Sequence, residues 1–180
     1  MKNIIIISIF SLLCIGVAAQ VDYYANHDTV AGTNVVYKVE DLGTTYVIGD
    51  INNSHFGQGY RFQNGTPVEN DQIYYADPIG NLKQIYRQAL EESFTAAEIA
   101  NLRSSNEKVI ISDAFDMSGD IMEVKFMFKK HPKLYSIPPD KWFAFEQKIK
   151  TYLKYTIPPR SQVLTFMVST CTLYFDKLYN

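Results

Sequence analysis

Residues 108–128 read KVIISDAF, DMSGD and IMEVKFMF in succession, and they carry the strongest fold signal in the chain. The first and last segments are rich in Val, Ile and Phe, the residue types that favour a half-buried strand. The middle segment supplies the Asp, Ser and Gly that a tight turn uses. The stretch therefore predicts an antiparallel β-hairpin.

Helical periodicity flanks the predicted hairpin on both sides. Before it, residues 81–92 are predicted to form a helix, because apolar side chains recur at helical spacing: Leu82, Ile85, Tyr86, Ala89 and Leu90. A second helix over 95–104 is indicated by a capping box of Thr95 and Glu98, with Phe94 and Ile99 as its hydrophobic staple. The predicted order along this part of the chain is therefore helix, helix, hairpin.

After the hairpin, Ser136-Ile137-Pro138-Pro139 opens another predicted helix, since proline is tolerated in a first turn. Its apolar stripe predicts a buried face: Trp142, Phe145, Ile149, Tyr152 and Leu153. The helix ends before the prolines at 158 and 159. Residues 163–175 then predict a closing strand of high apolar density, and its length favours a central place in the sheet.

The first half of the chain predicts short strands. Residues 34–40 and 44–49 are joined by a turn at 41–43 and form a plausible hairpin. Residues 59–63 alternate like a strand and stop at the turn dipeptide Asn64-Gly65, and 72–75 predict one more short strand. The predicted fold class is α+β, mainly an antiparallel sheet with about three helices packed on one face. A single domain would span 20–180, with a β-rich half (20–80) and a helix-strand-strand-helix-strand half (81–180).

The first nineteen residues have the layout of a cleavable signal peptide. Lys2 precedes a short apolar run, and small residues stand at Val17 and Ala19. A transmembrane anchor needs about 20 apolar residues, and here the apolar run is shorter. Lipidation at Cys14 is disfavoured by bulky Leu12 and Leu13. We expect a periplasmic or secreted protein without a stable membrane span after cleavage, although this pattern does not separate the two compartments.

Composition narrows the class of partner. The formal charge of −2 becomes −3 when Lys2 is removed, and no stretch clusters basic and aromatic residues, so nucleic acid is not an expected partner. Cys171 would be the one cysteine left in the mature chain, which excludes an intramolecular disulfide. It lies in an apolar run and is interpreted as a small buried hydrophobic residue.

No catalytic, cofactor-binding or metal-binding residue is predicted. His27, His55 and His131 are far apart and lack a second ligand at zinc-site spacing. The aspartates at 113, 116 and 120 do not match an EF-hand loop and are interpreted as a polar hairpin turn. No G-x-S-x-G elbow or glycine-rich phosphate loop occurs. A non-enzymatic protein is expected, and no cofactor.

The second half resembles the C-terminal domain of the TonB energy transducers. The family's strand, turn and strand ending in V-x-V are similar to 109–111, Ser118-Gly119 and 121–126 here. Its helix, followed by an aromatic residue and a proline, is similar to 155–158, and its last strand to 164–175. The family's proline-rich segment and preceding Tyr-Pro pair are absent from this sequence. The resemblance implies a similar fold and no energy-coupling role.

Nearly the whole mature chain also resembles a group of uncharacterised exported proteins of gut Bacteroidetes. The shared features are a signal ending in Ala-Gln, an early Tyr23-Tyr24 pair, and a segment like 121–128 followed by Ile-Pro-Pro and an amphipathic helix. No activity follows from this resemblance. It implies a host that O-glycosylates Asp-Thr/Ser-apolar triplets, which makes Thr29 a candidate glycosylation site.

Binding is the leading functional hypothesis. Phe143, Tyr23 and Tyr24 are the candidate contacts for a protein or envelope glycan partner, since aromatic side chains anchor interfaces. Two alternatives stay open: a small hydrolase-like enzyme with a non-standard site, and an accessory subunit of an outer-membrane assembly. A binding surface would show an exposed aromatic patch, an enzyme a pocket holding a histidine beside a carboxylate, and a subunit an uncovered sheet edge. The oligomeric state is open.

Overall fold

The computed structural model describes residues 20–69 and 74–179. Its main sheet has six antiparallel strands. In chain order these are β1 (Thr29–Ala31), β2 (Val36–Asp41), β3 (Thr45–Asp50), β5 (Lys108–Phe115), β6 (Ile121–Lys129) and β8 (Met167–Tyr174). Their spatial order is β1-β2-β3-β6-β5-β8, so the sheet takes strands from both halves of the chain. A small second sheet pairs β4 (Asp77–Pro78) with β7 (Tyr155–Thr156).

The 108–128 hairpin is confirmed as the pair β5 and β6, with Val109 opposite Phe128 and Phe115 opposite Ile121. Its turn is held by the Asp116 carboxylate, which accepts hydrogen bonds from the backbone N–H groups of Ser118 (2.8 Å) and Asp120 (3.1 Å). Gly119 adopts a φ of 84°, a conformation that residues with a side chain rarely adopt. The hairpin therefore depends on the Asp and Gly turn residues from which it was predicted.

The three helices predicted from the sequence are all present. They are α1 (Leu82–Ser93), α2 (Ala96–Arg103), α3 (Pro132–Tyr135) and α4 (Pro139–Tyr152), and a 3₁₀ helix follows at Lys177–Tyr179. The Asn81 side chain caps α1, and Thr95 with Glu98 forms the capping box of α2. The single turn α3 was not predicted. It begins at His131, whose Nδ1 accepts the Lys133 N–H at 3.2 Å.

The core lies between α4, α1 and one face of the sheet. Trp142 and Phe145 of α4 are fully buried, as predicted. The Trp142 ring stacks on Phe128 with centroids 5.2 Å apart, and Phe126 lies 4.8 Å from the same ring. Burying aromatic side chains of this size supplies much of the energy of a small core without disulfides. The α+β prediction is confirmed.

Three strand predictions need correction. The closing strand is β8, and it lies at the edge of the sheet rather than at its centre. Leu164 and Phe166 gave the segment its apolar density, yet they precede the strand and are buried beside the loop of residues 51–69. Residues 59–63 form two isolated bridges instead of a strand. The 72–75 prediction falls partly outside the described residues, and Tyr74 and Tyr75 are not in a strand.

Residues 20–69 and 74–179 contain no helix long and apolar enough to cross a membrane. The predicted signal segment, 1–19, lies outside the described residues.

Candidate binding site at the sheet edge

The outer edge of β8 carries backbone groups that no other strand pairs. Its neighbour on one side is β5, and no strand formed by the described residues lies on the other. At Val168 the backbone points outward, because its N–H donates to the Tyr60 hydroxyl (3.2 Å) and that hydroxyl donates to the Val168 carbonyl (3.3 Å). In an antiparallel pair, outward-pointing residues alternate. Thr170 and Thr172 therefore also direct their N–H and C=O groups away from β5.

These outward groups lack partners in the described part of the chain. No backbone hydrogen bond is formed there by the outward N–H or C=O of Thr170 or Thr172. The cross-strand contact between the Ser112 and Thr170 hydroxyls, 3.0 Å, fits the closer side-chain spacing of a non-hydrogen-bonded pair. An edge of this kind is a template for another strand. The opposite edge, β1, has only three residues.

An apolar groove of about 260 Å³ runs beside this edge, between β8, α1 and the 3₁₀ helix. Its apolar wall is formed by Leu82, Tyr86, Cys171, Leu173 and Leu178. The charged residues that line it are two lysines, Lys83 and Lys177. The groove is thus large enough for an apolar side chain and is bordered by positive charge.

Tyr174, at the end of β8, lies close to two lysines. The residue is 37% exposed. The Lys177 ammonium lies 4.4 Å from the ring centroid and the Lys108 ammonium 5.5 Å, which are cation–π distances. The lysines are therefore held close to the edge.

A buried polar cluster lies behind the groove. Asp113 on β5 is fully buried, and neither carboxyl oxygen has a hydrogen-bond partner among the described residues. Burial raises the pKa of Asp113 to about 7, and the nearby Tyr155 hydroxyl opposes this shift without reaching hydrogen-bond geometry. Burial also raises the pKa of Cys171, so its thiol stays protonated at neutral pH. Cys171 is therefore a packing residue with an unreactive thiol.

On the other face of the sheet, the loop of residues 51–69 brings a histidine to a carboxylate. His55 Nδ1 lies 2.6 Å from Glu123 Oε1. The same carboxylate accepts the backbone N–H groups of Ser54 (2.7 Å) and His55 (3.0 Å) and the Ser54 hydroxyl (3.2 Å). Burial by itself would raise the pKa of Glu123, but these hydrogen bonds outweigh it and lower the pKa.

The geometry of this pair fits an anchor for the loop. The Ser54 hydroxyl lies 3.5 Å from Nδ1, the ring nitrogen that Glu123 already occupies. A serine nucleophile would need the other nitrogen, as in a serine-histidine-carboxylate triad. The His55 ring packs edge-on against Phe166 at 4.7 Å. No local pattern in the sequence indicates this pair, because its members are 68 positions apart.

The candidate contact residues differ in their solvent exposure. Tyr24 is fully buried, and its hydroxyl donates to the Ile137 carbonyl at 2.7 Å. It has no surface to offer a partner, so its prediction as a contact is corrected. Tyr23 and Phe143 are half-buried against the core, while Thr29 is exposed on β1.

The expected aromatic patch is also corrected. Among the described residues, the aromatic side chains that are more than a third exposed are Tyr75 and Tyr174. The other aromatic residues in the described part of the chain are buried or partly buried. The three aspartates separate as well: Asp113 is buried, Asp116 holds the turn, and Asp120 pairs with Lys154 at 2.6 Å.

Comparisons with known proteins show a similar fold and indicate no activity. No family model matches the sequence, and no curated protein matches it. Its fold is similar to that of a DUF5043 family protein from Bacteroides uniformis. The crystal structure of that protein superposes with a TM-score of 0.68 over 84% of this chain and 87% of the other, at 13% identity. This likeness is compatible with an uncharacterised Bacteroidetes family. The resemblance to the TonB domain stays a prediction.

Proposed function

We propose that this chain is an exported, non-enzymatic binding module that accepts an extended segment of a protein partner at the β8 edge. The observation that supports this is the pair of outward-facing residues, Thr170 and Thr172, whose backbone groups are unpaired within the described chain. Strand addition uses such groups for affinity and adjacent pockets for specificity. The groove beside Leu173 and Tyr86 supplies the pocket.

A protein partner is favoured over an envelope glycan. The proposed contact is a line of backbone donors and acceptors, which matches another backbone. The exposed aromatic residues, Tyr75 and Tyr174, lie on different elements and do not make up the broad aromatic surface expected at first. Placement in the envelope rests on the sequence of residues 1–19.

Replacing Thr172 with proline is expected to abolish strand addition while the fold is kept. Proline lacks an N–H, and it is tolerated at an edge strand where that group faces outward. The measurement is a pull-down from the native envelope fraction with wild-type and Thr172→Pro chains of residues 20–180. Matched thermal unfolding curves confirm that the variant is folded.

The expected result is a stoichiometric partner that wild type retains and Thr172→Pro loses. Hydrogen exchange on the recovered complex should show protection at residues 170–174. Equal retention by both chains, or no stoichiometric partner with wild type, would contradict the proposal.

A second candidate function, a small hydrolase, is favoured by the contact between His55 and Glu123. A carboxylate on Nδ1 orients a histidine and leaves its other nitrogen available as a base. We expect this pair to anchor the loop only. Wild type and His55→Gln should then hydrolyse p-nitrophenyl acetate at the same rate. His27→Gln, at an exposed histidine, measures the background of a surface imidazole. A tenfold loss confined to His55→Gln would favour the enzyme.

A further inference from the structure

We infer that the segment bound at β8 is acidic, with apolar side chains at alternate positions. This inference rests on the proposed function and names the chemistry of its partner. It is carried by the distribution of charge around the edge and by the position of the groove on one side of it.

The charged residues lining the groove beside the β8 edge are basic, whereas the chain as a whole has a net negative charge. The whole chain has 17 basic and 19 acidic residues, yet the charged residues lining the groove are Lys83 and Lys177. Lys108 adds a third basic residue beside Tyr174. No carboxylate in the described part of the chain lies within 4.0 Å of the Lys108 or Lys177 ammonium. An acidic partner would supply the missing countercharges.

Nearby carboxylates are engaged elsewhere. Glu107, next to β5, pairs with Lys129 at 3.6 Å, and Glu91 of α1 pairs with Arg87 at 2.9 Å. The half-buried Asp176 adjoins Lys177 in sequence. Lys108 and Lys177 therefore have no ion pair among residues 20–69 and 74–179, and charge complementarity with an acidic partner would steer association and select partners.

The two faces of an added strand would meet different surfaces. Side chains alternate along a strand. Alternation directs the side chains of Cys171 and Leu173 to the groove and those of Thr170, Thr172 and Tyr174 to the opposite side, where Lys108 lies beside Tyr174. Thr172, Tyr174 and Lys177 also border the groove. A segment paired with β8 would place one set of side chains in the apolar groove. Its other set would lie beside Tyr174 and the two ammonium groups, which is where acidic residues fit.

The test uses three synthetic nonapeptides that share Val and Leu at alternate positions and carry Glu, Ser or Lys between them. Each is titrated into ¹⁵N-labelled protein of residues 20–180, and amide chemical shifts are followed. The Glu peptide should bind at least tenfold more tightly than the Ser peptide and shift the amides of Thr170 and Thr172. Its advantage should fall at 0.5 M salt, because salt screens exposed charges. The Lys peptide should bind most weakly.

Charge reversal provides the matched control. Lys108→Glu should reduce the preference for the Glu peptide at least threefold. Lys38→Glu makes the same change of charge on β2, away from the edge, and should leave the preference unchanged. Equal binding of all three peptides at β8 would overturn the inference and leave the proposed function standing. Absence of any shift at β8 would overturn both.

Discussion

Replacing Gly119 with alanine is expected to destabilise the fold by at least about 3 kcal/mol. A Cβ at this position would lie 1.9 Å from the Tyr155 carbonyl oxygen and 2.9 Å from its carbon, and both atoms are backbone. A real Cβ never approaches so closely, so the turn or β7 must move. The residue also has a φ of 84°, which alone disfavours a side chain.

Movement here would disturb contacts on both sides of the turn. The Tyr155 N–H donates to the Gly119 carbonyl at 3.0 Å. The Tyr155 ring stacks on Phe115 with centroids 4.1 Å apart, and Phe115 ends the strand that leads into the turn. The added Cβ would therefore push Tyr155 away and weaken both contacts between the main hairpin and the small sheet.

Gly43→Ala is the control for the clash. Gly43 has a φ of 83°, and nothing lies within 4 Å of the Cβ position. Its replacement should cost about 1 kcal/mol, from the left-handed conformation alone. Urea unfolding of residues 20–180 measures both variants. Equal losses of unfolding free energy would show that the contact with Tyr155 adds nothing.

Replacing Asp113 with asparagine is expected to make stability much less dependent on pH. Burial raises the pKa of Asp113 to about 7 in the folded protein, from 3.8 in the unfolded chain. Between these values the folded state binds the proton more tightly. The contribution of this group to stability is therefore fully present below pH 3.8 and is lost as the pH rises through 7. The difference corresponds to on the order of 4 kcal/mol.

Asparagine cannot ionise, so this loss should disappear in the variant. The unfolding free energy of Asp113→Asn minus that of wild type should rise by on the order of 4 kcal/mol between pH 4 and pH 8. The neighbouring Tyr86 and Tyr155 have pKa values raised by burial. They stay neutral over this interval and do not disturb the comparison. Urea unfolding at several pH values measures the difference.

Glu123→Gln is a control of opposite sign. Hydrogen bonds lower the pKa of Glu123 in the folded state. Its contribution to stability is present above the ordinary value of 4.5 and is lost as the pH falls through the folded value. The loss caused by Glu123→Gln should therefore be largest at neutral pH and shrink on acidification. A constant difference between Asp113→Asn and wild type from pH 4 to pH 8 would contradict the raised pKa.

The elements with local signals could be predicted from the amino-acid sequence. The 108–128 hairpin, the Asn81 cap of α1 and the capping box of α2 each depend on side chains within a few residues of the backbone groups they satisfy. The α+β class followed from these elements. Hydrophobic periodicity and helix capping involve residues within one turn or one strand, so they can be seen in a single sequence.

Which surfaces remain for a partner depends on the packing of distant segments and could not be predicted locally. The edge position of β8 depends on the order of six strands, which no local pattern encodes. The burial of Tyr24 and Asp113 and the pairing of His55 with Glu123 depend on residues distant in sequence. The length of the apolar segment 163–175 predicted a central strand, but Leu164 and Phe166 lie before the strand, buried beside the loop of residues 51–69. Burial is a property of the packed elements together, so it appears only when they are assembled.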